Sequence, residues 1–289
     1  MKLYKATLSL ESSLVTPLKG DTIWGHVVWG LANHEGNEAV SQFLAEEKMQ
    51  EPAFIISSAF PKGTICKPYP KHEPRKEMNT KLYSDIKKEK KRKFVATKDF
   101  LDGVDSSPYS NFRFEQTHVM HNTINRLSNT VEEGLFSVQE LWPTSKDFDV
   151  YILSSYTIER VKQLLDWAFE NGYGADSSTG KGKIVVGDVN CVKPKLHTQR
   201  YVVLAPFVTD FSNIKSGTLC ADTFIRTGKI GGAFATSMSP YKKTLVMFDE
   251  GAVLETEEPI QFIGNLITGV HSDERICHSG FAPVIPIEE

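Results

Sequence analysis

The residues best placed to do chemistry form a glycine-rich loop, Gly174-Ala-Asp-Ser-Ser-Thr-Gly-Lys181-Gly182. It looks at first like a phosphate-cradling P-loop. Five residues, however, separate Gly174 from the Gly180-Lys181 pair, one more than that motif allows. The motif also needs Ser or Thr after the lysine to hold magnesium, and Gly182 has no oxygen to offer. The loop leaves a helical pattern and enters a strand, the reverse of the P-loop order. Nucleotide hydrolysis is therefore excluded. What remains is a stretch of backbone N–H groups, three hydroxyls (Ser177, Ser178, Thr179) and two lysines (Lys181, Lys183). Glycines let the main chain approach a ligand and form an anion-binding nest, hydroxyls donate hydrogen bonds, and lysines add charge. Such a loop can hold a sugar–phosphate backbone without reacting with it. A flexible turn ending a helix at Gly172 explains the same residues.

Two further segments carry polar chemistry. Pro17-Leu-Lys-Gly-Asp-Thr-Ile-Trp-Gly25 places Lys19 and Gly20 at a helix start, where an anion is favoured. A simple cap by Asp21 or Thr22 accounts for it equally well. His121-Asn-Thr-Ile-Asn-Arg126 is dense in groups that read bases or phosphates, and a histidine there can stack on a base. His121 could serve as general base in metal-free RNA cleavage, but no partner acid is evident, and His118 is as readily a packing residue. No His–Asp pair, His-x-His or acidic cluster points to a metal nuclease, and no cofactor is expected.

These segments must be positioned by regular elements. Leu3–Leu10 alternates apolar and polar residues and predicts a strand. Ile23, Val27, Val28 and Leu31 recur at helical spacing, and Ala39–Lys48 continues as a second helical piece. Phe54–Ala59 reads as a strand entering a loop over Pro61–Pro74, then a basic run over Asp85–Lys93 that leads to Phe94 and Phe100. Asp102–Phe112 is turn-rich. Leu135–Val138 and Asp149–Ser154 predict strands, Ile158–Glu170 an amphipathic helix, and Lys183–Val189 a strand. Strand, helix, strand, strand, helix, strand, with a long insertion, is the order of a ferredoxin-like domain. Pro194 and a fresh strand at Tyr201–Ala205 place a second domain from about residue 195. There, hairpins are expected at Thr244–Leu254 around Asp249-Glu250-Gly251 and at Ser279-Gly280, with a helix over Ile260–Ile267.

Composition narrows the class. The 289 residues are 40% hydrophobic and 24% charged, as in a soluble globular protein of two ordinary domains. Apolar runs such as Tyr201–Ala205 fall far below the ~20 residues that cross a bilayer, so no membrane is expected. Cys66, Cys191, Cys220 and Cys277 are scattered and the first residues alternate like a strand, not a signal peptide; a reducing cytoplasm is expected. The net charge of −3 hides an asymmetry. Lys62–Lys98 holds 13 Lys/Arg against 4 Asp/Glu, and Thr244–Glu289 holds 9 Asp/Glu against Arg275 alone. That suits a polyanion on one side and another protein elsewhere, although charge runs are often solvated loops.

Taken in order, the segments resemble one family, the Csm-type (type III-A) CRISPR effector subunit of the RAMP superfamily that holds the 5′ handle of the guide RNA (crRNA). They are Thr16–Gly25, Ser58-Ala-Phe-Pro61, the basic run ending at Phe94, His121–Arg126, Gly134-Leu-Phe136, Gly174–Gly182, Phe262-Ile-Gly264 and His278–Pro286. The resemblance implies an α+β fold of two packed ferredoxin-like (RRM-like) domains, residues 1–194 and 195–289. A thumb-like insertion would span about residues 61–140. It implies a non-catalytic subunit of an antiviral ribonucleoprotein that grips the handle through Lys19, Gly20, Thr22, Ser177, Ser178, Thr179 and Lys181. His121, Asn122, Thr123 and Arg126 would lie against the guide. The implied partners are crRNA, the large polymerase-like signalling subunit and the backbone RAMP subunit. The chain departs from the family pattern at Asn125, where an acid is common, and at Ser178, where lysine is common. A processing endoribonuclease of the same superfamily, with His121 as base, is the rival reading, and a pure protein scaffold is a third.

Overall fold

The computed structural model describes residues 1–49, 52–70, 93–97, 101, 112–231 and 239–288. Period-two alternation along the first strands sets the layers. In strand Lys2–Leu10, the side chains of Tyr4, Ala6, Leu8 and Leu10 enter one core, while Leu3 enters another. Strand Asp147–Ser154 repeats the division, sending Phe148, Val150 and Ile152 to the first core and Tyr151 and Leu153 to the second. Both faces of this sheet are therefore covered.

The first core is closed by two helices, α1 (Gly20–Lys48) and α2 (Ile158–Phe169). Ile23, Trp24, Val27 and Leu31 of α1 meet Val161, Leu164, Leu165 and Phe169 of α2 over the sheet. Gly30 lets the helices touch, because a Cβ there would lie 2.7 Å from the Trp167 carbonyl carbon. The two helical pieces expected from the sequence are joined through a kink at Gly36 (φ +84°). In the sheet, strand Phe54–Ile56 lies beside Asp147–Ser154, then Lys2–Leu10, then Ile184–Val192, every pair antiparallel. The order strand, helix, strand, strand, helix, strand expected of residues 1–194 is present.

The second core joins this sheet to another four-stranded one, in the order Val253–Glu255, Arg200–Val203, Ala282–Pro286, Phe262–Ile263. Val202, Leu204, Val253 and Ile285 pack there against Ile55, Tyr151 and Leu153. The outer face of the second sheet carries Tyr201, Val203, Leu254 and Val284, partly covered by Ile214, Leu219, Ala221 and Phe248.

Several local expectations give way to tertiary pairing. Thr64–Cys66, within the expected loop, is a strand paired with Phe94–Ala96, and the strand expected over Phe54–Ala59 stops at Ile56, with a separate strand at Phe60–Pro61. The helix expected over Ile260–Ile267 is instead two short strands, Phe262–Ile263 and Leu266–Ile267, which pair with Ala282–Pro283 and His278–Ser279. Gly264 between them stands at φ +100°, and a Cβ on it would meet the Gly280 carbonyl oxygen at 1.9 Å. Close approach of two backbones decides that segment, not its apolar spacing. This pairing replaces the hairpin expected around Ser279-Gly280. The strands flanking Asp249-Glu250-Gly251 also do not pair with each other. Leu245–Phe248 pairs with Thr223–Arg226, and Val253–Glu255 pairs with Arg200–Val203. The expected ferredoxin-like second domain thus has its antiparallel sheet and, among the described residues, no helix. Residues 85–92 of the basic run, Phe100 and residues 102–111 of the turn-rich segment lie outside the described residues.

Ile285 is fully buried between the two sheets. Ile285→Ala is expected to lower unfolding free energy by about 2–5 kcal/mol in urea denaturation. Ile225→Ala, at a residue 71% exposed, should shift it by less than about 0.5 kcal/mol.

Candidate nucleic-acid interface

The glycine loop is tied down at each end. Tyr173 N–H donates to the Gly182 carbonyl (2.9 Å), and Gly182 N–H donates to the Ser13 carbonyl (2.8 Å). A Cβ on Gly182, at φ +65°, would come within 2.0 Å of the Tyr173 carbonyl oxygen, so only glycine fits. Between these anchors Asp176 (φ +59°) and Gly180 (φ +89°) bracket a single 3₁₀ turn, Ser177–Thr179. Ser178 and Thr179 are exposed. For the N–H groups of Asp176, Ser177 and Ser178, the described residues provide no acceptor.

The loop leans on the entry to α1. Ala175 N–H donates to Thr16 Oγ1 (3.0 Å), Gly174 N–H to His26 Nε2 (3.1 Å), and the Tyr173 hydroxyl to the Pro17 carbonyl (2.7 Å). Burial pushes His26 down to about 4, against a hydrogen bond with Ala168 that acts the other way. The ring is therefore neutral at pH 7 and its Nε2 accepts from the loop. The third wall is the base of a long hairpin, Phe114–Ile124 with Val131–Pro143. Leu141 exchanges backbone hydrogen bonds with Leu14, and Lys181 Nζ sits 2.5 Å from Oε1 of the buried Glu140. The glycine loop, the first-helix entry and the hairpin base thus meet in one place.

The sequence-predicted residues divide among distinct surroundings. Lys19 holds Asp249 Oδ1 and Glu250 Oε1, each at 2.6 Å, and its ammonium also lies 5.6 Å from the centre of the Phe224 ring. Gly20 is a packing position: its N–H donates to Ser58 Oγ, and a Cβ would strike Ile56 O at 2.7 Å. Asp21, an expected cap, is not one. The helix starts at Gly20 without a side-chain cap, and the Asp21 carboxylate instead receives Arg226 at both oxygens and His278 Nε2 at 3.1 Å. Thr22 Oγ1 accepts from Arg226 Nη2 at 2.9 Å. His121 stacks on Phe136, with ring centres 5.7 Å apart. Asn122, Thr123 and Arg126 are exposed toward the hairpin's end. Phe136 lies four residues before Glu140, which puts His121 about 13 Å along the hairpin from Glu140, the carboxylate that meets Lys181. Asn125 Oδ1 shapes the turn by accepting from Leu127 N–H (2.8 Å) and Ser128 N–H (3.3 Å).

Comparison with solved structures matches the fold over the whole chain. A chain of the Csm1–Csm4 cassette in complex with AMPPNP shares 14% of residues over 100% of this chain and 98% of its own, with a TM-score of 0.59. The same cassette in complex with cA4 gives 14% and 0.59 over 99% of this chain and 98% of that one. The Csm3–Csm4 subcomplex of the type III-A CRISPR-Cas interference complex gives 11% and 0.52 over all of both chains. The fold is that of a subunit of these Csm complexes. The resemblance read from the sequence segments holds at that level. No protein-family model matches the chain, and no curated protein does.

Sequence reasoning missed the residues that position the site. Thr16 and His26 reach the loop from before and within α1, and Glu140 reaches Lys181 from the hairpin. Thr16 stood in a segment singled out for its resemblance, whereas nothing in the local pattern marked His26 or Glu140. Because the folded chain keeps His26 neutral down to about pH 4 and the unfolded chain takes up a proton near 6.5, stability must fall as pH drops through that window. The expected loss is on the order of 3 kcal/mol, read as a falling melting temperature between those pH values. His26→Gln should flatten that part of the profile.

Proposed function

We propose that the chain is a non-catalytic RNA-binding subunit of a type III-A CRISPR effector complex that clasps the 5′ handle of crRNA and docks the large signalling subunit. The observation that carries this is the meeting of glycine loop, first-helix entry and hairpin base, on a fold matched over its whole length by chains of Csm complexes. In this reading residues 1–194 and 195–289 are two ferredoxin-like domains, and the hairpin Phe114–Pro143 belongs to the thumb. The particle works in the cytoplasm; no helix among the described residues is long and apolar enough to cross a membrane.

The chemistry follows from the donors present. Main-chain N–H groups of Asp176–Ser178 and the hydroxyls of Ser177, Ser178 and Thr179 would bind phosphate oxygens, as donors that position a strand without reading its sequence. Lys181 supplies charge beside them. Arg126, Asn122, Thr123 and His121 would meet the guide farther along the hairpin, where unstacked bases can be read or stacked. Lys19, Gly20 and Thr22 act from beneath by fixing the helix entry on which the loop rests.

Lys181→Ala combined with Arg126→Ala should weaken guide RNA binding by the purified complex and make its fall with rising salt shallower, since each phosphate contact steepens the salt dependence. Full guide occupancy of the double variant at elevated salt would remove the assigned surface. The lone protein should leave CRISPR repeat RNA intact. A cut that disappears in His121→Ala would instead make the chain a processing endoribonuclease.

A further inference from the structure

On the outer face of the second sheet, Phe211 has a backbone that a bulky side chain rarely adopts, φ +65°. The turn around it is fixed from both sides. Phe211 N–H donates to Thr209 Oγ1 (3.1 Å), and Ser212 donates its N–H (3.0 Å) and hydroxyl (2.8 Å) to Asp210 Oδ1. The result is an aromatic ring held 53% exposed, edge-on to Phe248 at 5.9 Å. A strained residue that its surroundings over-determine points to use rather than accident. This ring walls a cavity of about 460 Å³ lined by Phe211, Ile214, Lys215, Leu219, Ala221 and Phe248.

The apolar surface runs on past the cavity. Phe248 pairs with Thr223, and two residues along the same ribbon Val246 pairs with Ile225. Residues two apart on a strand share a face, so Phe248, Val246 and Ile225 lie on one side. Val246 is 68% and Ile225 71% exposed, in a stripe of the kind that marks a docking surface. The ground beside it is acidic. Lys215 N–H donates to the Glu255 carbonyl and Ile214 bridges Thr256, which brings the segment bearing Glu255, Glu257 and Glu258 alongside the cavity. Glu257 and Glu258 are both exposed. A phosphate strand would be repelled here, whereas Lys and Arg would be drawn in.

We infer that this stripe and cavity dock a segment of a partner protein subunit that inserts an apolar or aromatic side chain beside Lys or Arg residues. The inference rests on the reading that the chain works inside an effector complex, and it assigns to that complex a protein contact separate from the RNA clasp.

The test uses the co-expressed complex carrying Phe211→Gly, Ile225→Glu and Val246→Glu together. Gly relieves the positive φ and the other two positions are exposed, so the fold should hold. The expected result is a loss of about tenfold in one co-purifying protein subunit, the scale of a hot-spot cluster, with guide RNA retained. Glu257→Lys with Glu258→Lys should weaken the same subunit more at low salt than at high. A photo-crosslinker at Leu219 should label that subunit. Full subunit occupancy in the triple variant, or crosslinks to RNA or to a second copy of this chain, would overturn the inference. If the Lys181→Ala, Arg126→Ala complex loses RNA while the triple variant changes nothing, the clasp stands and the docking surface falls. A wild-type chain that recovers neither partner subunit nor guide RNA would end both.

Discussion

A single carboxylate at the head of α1 ties that helix to two short strands that lie outside both main sheets. Asp21 is buried, and burial alone would raise its carboxyl; hydrogen bonds and charge from His278 and Arg226 outweigh that and hold it well below the usual carboxylate range. Arg226 arrives from the two-stranded ribbon and His278 from a short strand beside the second sheet, so residues some two hundred positions away in the chain converge on the first helical turn. Lys242 packs behind them, with its Nζ on the Cys277 carbonyl at 2.6 Å, and burial pushes it down to about 8. Such a cluster adds little net stability over a well-packed apolar one, but removing one member strands a buried charge. Its effect is to fix where α1 begins relative to everything that touches its entry.

The glycine loop depends on that placement. Thr16 and His26 flank the start of α1, and their contacts with Ala175 and Gly174 set the loop's height above the helix. Gly174 and Gly182 then allow approaches that any side chain would block. A loop held this way keeps its outward N–H groups and hydroxyls in place before any ligand arrives, and preorganisation lowers the ordering cost of binding.

Both lysines assigned to the clasp are occupied within the folded chain. Lys181 lies against Glu140 and Lys19 between Asp249 and Glu250. Lys181 thus shares its charge with a buried carboxylate, and Lys19 ties the entry of α1 to the Asp249-Glu250 turn.

The sequence by itself determined the elements whose signals are local. Alternation over Leu3–Leu10, the apolar spacing of α1 and α2, and the glycine spacing of the Gly174–Gly182 loop each reflect geometry within about ten residues, and each element forms where that geometry places it. Tertiary structure decided what depends on distant partners. Phe262–Ile263 and Leu266–Ile267 are strands because Gly264 between them passes close to Gly280, and Asp21 abandons the cap for Arg226 and His278. Lys181 meets Glu140 across the hairpin base. In each case a long-range contact outweighs a local preference of order 1 kcal/mol, and no periodicity in the chain encodes that contact.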